Sequence, residues 1–279
     1  MVLKSQIPGL AIPAVSLAEY VLGDAEKTRQ GVAIIEGHTG YALDYARLRE
    51  LSQATAAAIA AKHYRQGSVI GIMSPNRADF AVAYYGILLS GCVVTAISPL
   101  ATAADLINQL HDSGAVALFV SPELQQTALP AAEALKLQDV FAFGDVPHTI
   151  SLKALYSSGL SFQKNRIDPD ALAVLAYSSG TTGRSKCVML SHRNLVANIS
   201  QVAAMQRIDD CDWIFAIMPF GHTYVMNVVL NLGLHCGATL IVYPRFELNT
   251  FLDSVEHYRI TRAFLAPPAM LLLDRKSVV

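Results

Sequence analysis

The sequence has little charge and no surplus of either sign. Asp, Glu, Lys and Arg make up 15% of the 279 residues, against roughly 25% in an average soluble domain. The 21 basic and 22 acidic residues give a net charge of −1. A nucleic-acid binder needs a basic surplus or a basic stripe to neutralise phosphates, so we expect no nucleic-acid partner. With 53% hydrophobic residues, the chain must hide unusually much apolar surface or expose some of it to a partner.

Cysteine is scarce as well. Cys92, Cys187, Cys211 and Cys236 are scattered, with no Cys-x-x-Cys pair. A structural zinc site needs clustered ligands and a secreted scaffold needs denser cysteine, so both classes are disfavoured. We expect reduced, buried thiols and a cytoplasmic location.

Two long stretches, residues 80–104 and 213–244, contain no charged residue. Either is long enough to cross a bilayer. Both are interrupted by residues that break helices or are costly in lipid, such as Pro99 in the first and Pro219 and Asn227 in the second. We therefore predict a buried helix followed by a buried strand in each, and no transmembrane span. Continuous apolar strands are typical of parallel sheets that are covered on both faces.

Strand-like and helix-like segments alternate from residue 44 onward, which indicates βα units and parallel sheets. The segment 32–45 predicts a separate small hairpin that turns at His-Thr-Gly. We divide the chain into an N-terminal helix and hairpin (1–43), a first βα subdomain (44–150) and a second βα subdomain (151–279). The segment 144–170, of mixed polarity, is expected to connect two sheet layers.

The stretch from Tyr177 to Lys186 combines Ser, Thr and Gly with one cation, directly after an apolar strand. Backbone N–H groups and hydroxyls of such a loop suit an anion with several oxygens, such as the β,γ-phosphates of a nucleotide. The alternative is a flexible Gly/Ser turn. Gly180, Gly183 and Lys186 do not have Walker A spacing, and Cys187 replaces the Ser/Thr that would hold magnesium. No G-x-G-x-x-G is present, so a dinucleotide site is not supported.

The segment SSGTTGRSKCVMLSHRNL resembles the phosphate-binding signature of the AMP-forming adenylating enzymes, among them acyl- and aryl-CoA ligases and luciferases. The match covers Ser178 to Gly183, Lys186, Ser191 and His192. It departs at Ser185, where the family usually has Pro, and at Cys187, where it usually has Gly.

Two further segments carry the resemblance in the same order. MPFGHTYVM at 218–226 is similar to the family's P-F-F-H-x-Y segment, in which the His lies beside the acyl-adenylate and the aromatic residue lines the acyl pocket. His222 and Tyr224 match, while Gly221 stands where a second aromatic is usual. FLAPPAM at 264–270 is similar to the family's V-P-P segment. Taken alone, His222 could equally be a hydrogen-bonded histidine of the core.

The resemblance to coumarate–CoA ligase-like and fatty acyl–CoA ligase-like members implies an α/β fold of stacked parallel βα subdomains. It implies that a carboxylic acid attacks ATP to give acyl-AMP, and that the CoA thiol then displaces AMP. His222 and Lys186 would be catalytic, and His222, Tyr224 and Val225 would line the substrate pocket. The implied phosphate-binding residues are Ser178, Ser179, Gly180, Thr181, Thr182, Gly183 and Lys186.

The later signatures of the family are not found, neither its adenine- and ribose-binding segments nor its small C-terminal domain with the catalytic Lys. We therefore expect an N-terminal portion of such an enzyme, with its second subdomain incomplete and the C-terminal half as a partner. Mg2+ is implied as a cofactor, but no residue of this chain is assigned to a metal. Two alternatives stay open: a non-catalytic module that binds nucleotide or a partner chain, and adenylation that feeds a carrier-protein thiol.

Overall fold

A computed structural model describes residues 9–23, 31–178 and 186–276 of the chain. Helices and strands alternate along most of it, as the apolar periodicity predicts. The helices are α1 (Leu17–Leu22), α2 (Tyr45–Ala60), α3 (Ala78–Leu89), α4 (Ala103–Asp112), α5 (Gln125–Ala134), α6 (Leu152–Tyr156), α7 (His192–Gln206), α8 (Leu232–Cys236), α9 (Leu248–Tyr258) and α10 (Pro267–Lys276), with a π-helix at Val225–Asn231. The strands are β1 (Val32–Glu36), β2 (Ala42–Asp44), β3 (Val69–Met73), β4 (Val93–Ile97), β5 (Ala115–Val120), β6 (Asp139–Ala142), β7 (Ile150–Ser151), β8 (Leu172–Ser178), β9 (Lys186–Ser191), β10 (Trp213–Ala216), β11 (Thr239–Val242) and β12 (Arg262–Ala263).

Seven strands form the first sheet, in the order β7-β6-β5-β3-β4-β8-β9. All neighbours in it are parallel except the β8–β9 hairpin. Every residue of β3 and β4 is buried, because helices cover the middle of the sheet and an uninterrupted apolar strand can be buried on both faces.

The second sheet has five strands, in the order β12-β10-β11-β1-β2. The predicted N-terminal hairpin is confirmed as the antiparallel pair β1–β2, and β1 also pairs in parallel with β11. Gly37 at the turn is required by close approach, since a Cβ there would lie 2.1 Å from the Tyr243 ring.

Helix α3 lies in the core between the two sheets, and nearly all of its residues are buried. The main core cluster joins Ile70 and Val94 of the first sheet to Ile34 and Leu240 of the second. Helix α2 packs closely on α3, since a Cβ on Gly86 would lie 2.7 Å from Thr55 Cγ2. The expected α/β fold of stacked parallel βα layers is thereby confirmed.

Both uncharged stretches divide as predicted. The first becomes α3 and β4, and the second becomes β10, the π-helix with α8, and β11. Among the residues that the structure describes, no helix has both the length and the apolarity needed to span a membrane.

Two expectations were wrong. The segment 144–170 does not connect two layers, because β6, β7 and β8 all belong to the seven-stranded sheet. Its polar composition gave no indication of which sheet the next strand would join. Of the thiols, Cys92 is buried, but Cys187 and Cys211 are exposed. Cys187 lies on the edge strand β9 and Cys211 in an acidic turn before β10, where the neighbouring residues do not cover a side chain.

The division at residues 43 and 150 remains a proposal. Strand pairing crosses both positions, because β1 joins β11 and β4 joins β8.

Candidate functional site

The Ser/Thr/Gly segment links β8 to β9 along the chain, and these two strands pair antiparallel. Ser178 and Lys186 form the last cross-strand pair before this segment, and Tyr177 faces Cys187 in the pair below. Both Ser178 and Lys186 are exposed. Ser179, Gly180, Thr181, Thr182 and Gly183 lie outside the described residues. The register thus places one predicted hydroxyl and the predicted cation opposite each other on neighbouring strands.

Two hydrogen bonds of β8 link the β8–β9 pair to neighbouring elements of the sheet. The Tyr177 hydroxyl donates to Asp112 Oδ2 at 2.6 Å, which links β8 to the end of α4. Partial burial, the bond to Asp112 and the nearby Cys187 raise the pKa of Tyr177, so the phenol stays a neutral donor. Thr95 of β4 donates to the carbonyl of Leu175 at 3.1 Å.

His222 follows β10 of the other sheet, in a segment that Asn76 holds. The Asn76 amide is 3% exposed and lies just beyond β3. Its Nδ2 donates to the carbonyls of Met218 at 2.8 Å and Ala216 at 3.2 Å. Its Oδ1 accepts from the N–H of Phe220 at 2.7 Å. A single side chain therefore satisfies the irregular backbone that leads into His222.

His222 is exposed, which excludes the alternative of a core histidine. Its Nδ1 accepts from the N–H of Tyr224 at 3.3 Å. In the neutral ring the proton is then on Nε2, which can donate outward. Gly221 before it lies against β4, since a Cβ there would be 3.6 Å from the carbonyl oxygen of Ile97. Strand β4 therefore contacts both the His222 segment and β8.

Tyr224 and Phe264 form an aromatic pair. Their ring centroids are 6.5 Å apart and the planes meet at 74°, an edge-to-face arrangement. Tyr224 is 46% exposed. Phe264 follows β12, the parallel neighbour of β10, so both aromatics lie at the carboxyl ends of adjacent strands, where ligands of parallel sheets commonly bind. Val225, by contrast, is 1% exposed and packs in the main core.

Ser191 and His192, the last residues of the matched signature, have structural contacts. Ser191 caps α7 in a reciprocal arrangement with Asn194. His192 is buried, and its Nδ1 accepts from the N–H of Leu17 at 3.1 Å. Desolvation lowers the pKa of His192 to about 4. His192 is thus a neutral core histidine that holds α1 against α7.

Within the described ranges, the residues that could together hold a metal ion are Asp209, Asp210 and Cys211, with ligand atoms within 4.8 Å of one another. They are exposed and precede β10, whereas His222 follows it. The cluster is therefore at the opposite end of that strand from the candidate site, and these residues do not fit a metal that would act there.

Sequence reasoning missed Asn76, Phe264 and the π-helix that follows Tyr224. Asn76 was detectable as an amide three residues after a fully apolar strand. Phe264 lies within a segment that the sequence had singled out, but nothing local indicated that its strand would lie beside β10.

Residues 23–277 match the family described as AMP-binding enzyme. The 4-coumarate–CoA ligase-like 9 protein of Oryza sativa subsp. japonica is 33% identical over 289 residues, which cover 99% of this chain and 51% of that protein. The chain spans about half the length of the curated relatives it matches.

Two solved structures are similar over most of the chain. The long-chain-fatty-acid-CoA ligase FadD1 from Archaeoglobus fulgidus superposes with a TM-score of 0.88 at 28% identity, covering 97% of this chain and 55% of that one. ATP-bound MatB from Rhodopseudomonas palustris has a TM-score of 0.77 at 23% identity, covering 88% and 48%, a likeness of fold alone. From the matched residues and the shared architecture, the chain belongs to the AMP-binding enzyme family.

Proposed function

We propose that this chain supplies the ATP- and acid-binding part of an AMP-forming acyl- or aryl-CoA ligase. The observation that carries the proposal is the β8–β9 register, which pairs Ser178 with Lys186 at the two ends of the Ser/Thr/Gly segment. Relatives named as CoA ligases and an ATP-bound structure of the same fold support it.

The hairpin would hold the phosphates of ATP. Lys186 is exposed on an edge strand and can place its ammonium beside a phosphate without first giving up a buried partner. Ser178 opposite it can donate a hydroxyl. We assign Ser179, Gly180, Thr181, Thr182 and Gly183 to the same task, as small residues whose backbone N–H groups can approach an anion.

The acid would bind near His222. With Nδ1 occupied by the Tyr224 N–H, His222 can donate from Nε2 to a carboxylate or to the acyl-adenylate. Tyr224 and Phe264 offer an aromatic surface beside it, which suits an aryl or long acyl chain of fatty-acid or phenylpropanoid metabolism. Val225 would support the acid-binding pocket from behind its lining residues, because its side chain lies in the core.

In the proposed reaction the carboxylate attacks the α-phosphate of ATP and releases pyrophosphate, and the thiol of CoA then displaces AMP. Mg2+ would enter as the complex with ATP, since the described acidic cluster lies at the far end of β10 from His222. CoA as acceptor, a C-terminal half as partner and a cytoplasmic location belong to the same proposal.

The test is carboxylate-dependent exchange of labelled pyrophosphate into ATP, measured on the full-length natural protein with aryl and fatty acids. Lys186→Ala should raise the KM for ATP at least tenfold, because a cation beside the phosphates is lost. Lys153→Ala, an exposed lysine on α6, is the matched control and should leave it unchanged. Unaltered ATP kinetics in Lys186→Ala would remove that residue from the site. Absence of exchange with every acid would favour a non-catalytic binding module.

A further inference from the structure

The helix that follows His222 is not a regular α-helix. The N–H of Met226 donates to the His222 carbonyl at 2.9 Å with α-helical spacing. Over Val225–Asn231 the spacing widens to that of a π-helix, and the N–H of Leu232 donates to the carbonyl of Asn227, five residues back. α-Helical spacing resumes at Leu232–Cys236. One extra residue in a turn rotates everything on its N-terminal side by about 100° relative to a continuous α-helix.

Two buried asparagines lie in this π-helix, Asn227 at 5% and Asn231 at 0% exposure. Asn231 Nδ2 donates to Asn227 Oδ1 at 3.3 Å, and Asn227 Nδ2 donates to Asn198 Oδ1 on α7 at 2.6 Å. On the other side, the hydroxyl of Tyr85 on α3 donates to Asn231 Oδ1 at 2.8 Å. Asn231 Nδ2 also lies 3.3 Å from the Tyr84 hydroxyl.

This amide network, Asn198–Asn227–Asn231 with Tyr84 and Tyr85, joins three helices. Asn227, Asn231 and the tyrosines are buried, whereas Asn198 at its α7 end is exposed. Both tyrosines are fully buried, and burial raises the pKa of each, so they remain neutral. A rotation of the π-helix by one residue would separate Asn227 from α7 and Asn231 from α3. Asn231, which is fully buried, would then be left without its partners, which is costly in the core. The hydrogen bonds of the network therefore favour the observed helical register.

That register decides where Tyr224 and His222 point. Tyr224 is the residue immediately before the π-helix, and its ring meets Phe264. We propose that Asn227 and Asn231 are positioning residues, which hold the π-helical register and so place Tyr224 and His222 for acid binding. Where this inference concerns acid binding, it rests on the proposed function. Its geometry rests on the hydrogen bonds alone.

The first test is kinetic, on the full-length protein. Asn227→Leu and Asn231→Leu keep the side-chain size but remove the amides. Each should raise the KM for the acid at least tenfold and leave the KM for ATP within twofold. Val196→Ala, which opens the core on α7 where Val196 is 0% exposed, is the matched control. It should lower the Tm without changing the KM for the acid. A purely structural role would make the asparagine variants behave like Val196→Ala, and would overturn the proposal.

The second test needs no activity. In protein labelled with 3-fluorotyrosine, the Tyr224 resonance is assigned by its loss in Tyr224→Phe. It should shift in both asparagine variants and not in Val196→Ala, while Tyr258, which stacks on Trp213 at 6.2 Å, serves as reference. An unmoved Tyr224 signal in a folded variant would overturn the inference.

If neither leucine variant folds, Tyr85→Phe removes one hydroxyl and should shift the Tyr224 signal less, in the same direction. A protein without acid-dependent activity would end the proposed function and leave this readout to decide the positioning role.

Discussion

The two uncharged stretches look alike in sequence and differ in what they build. Residues 80–104 give a regular helix that is buried almost throughout, followed by the buried strand β4. Residues 213–244 also begin and end in buried strands, but between them His222 and Tyr224 are exposed, and the next helix is wide and carries two buried amides. In the first stretch most buried side chains are apolar, and the buried polar groups of Tyr84, Tyr85 and Thr95 lie on regular elements. In the second, polar groups interrupt that packing at specific positions.

The difference between the two stretches indicates which residues serve mainly stability and which serve ligand binding. An apolar core without polar groups can be repacked, and it tolerates substitutions that keep volume. A buried amide that loses its partner costs about 1–3 kcal/mol, so its retention in a core needs a reason of geometry. We therefore expect mutations in the first stretch to act mainly on stability, and mutations in the second to act increasingly on ligand binding.

The largest effect is expected for Phe80→Ala. Phe80 is 1% exposed and its ring lies 5.5 Å from that of Phe220, at the contact between the two stretches. Removing a buried phenyl ring costs about 3–5 kcal/mol of the free energy of unfolding, which urea denaturation would measure. A loss below about 1 kcal/mol would mean that the core collapses into the space, a degree of plasticity that close-packed interiors rarely allow.

A comparable loss in the free energy of unfolding is expected on acidification. It arises from His192, which lies beside the second stretch. Its folded pKa is about 4 and its unfolded value about 6.5, so the unfolded chain takes up the proton first. Stability is therefore complete above pH 6.5 and falls as the pH drops towards 4, by about 2 kcal/mol at pH 5 and about 3 kcal/mol at pH 4. The measurement is urea denaturation across this range.

His192→Asn separates this effect from the other titrations. The amide Oδ1 can accept from the Leu17 N–H in place of Nδ1, and it does not titrate. The difference in the free energy of unfolding between wild type and variant should be constant above pH 7 and shift in favour of the variant as the pH falls from 6.5 to 4. Parallel curves for the two proteins would mean that His192 does not lose its proton on folding.

Asn76→Ala should have an intermediate effect, because the N–H of Phe220 and the carbonyl of Met218 lose this partner, whereas the carbonyl of Ala216 still accepts from the N–H of Tyr243. We expect a loss of about 2 kcal/mol, together with a raised KM for the acid, since the segment leads directly into His222. Ser74→Ala is the comparison: Ser74 is equally buried nearby, but its hydroxyl bonds only the adjacent carbonyl of Pro75. Equal effects of the two variants on the KM for the acid would contradict the role of Asn76 in holding residues 216–220.

Much of the fold could be predicted because it depends on local pattern. The apolar runs of β3, β4 and β11 and the hairpin β1–β2 lie where the sequence indicates. The pairing of β1 with β11, about 200 residues away in the chain, could not be predicted, since residue type alone does not specify which parallel strands become neighbours. The same limit explains the error on 144–170, whose destination depends on sheet order.

The candidate site was predictable in part for a related reason. Lys186, His222 and Tyr224 stand in motifs, and a motif is local. The contacts that place them are not: Asn76 reaches residues 216–220, Phe264 reaches Tyr224, and Asn231 reaches α3. Amides four residues apart inside an apolar run are nevertheless a usable signal, because a core keeps such groups only when they are paired.

The smallest effect on stability, and the clearest separation from binding, is expected at Tyr224. Because its side chain is 46% exposed, Tyr224→Ala should cost about 1 kcal/mol or less, mostly the edge-to-face contact with Phe264. The KM for an aryl acid should nevertheless rise severalfold, and Tyr224→Phe, which keeps the ring, should retain the wild-type value. Steady-state kinetics beside urea denaturation measures both quantities. If Tyr224→Ala instead destabilised the protein as much as Phe80→Ala and left the KM unchanged, the second stretch would be core like the first. The contrast between the two stretches would then lose its functional meaning, because the exposed aromatic pair would serve packing alone.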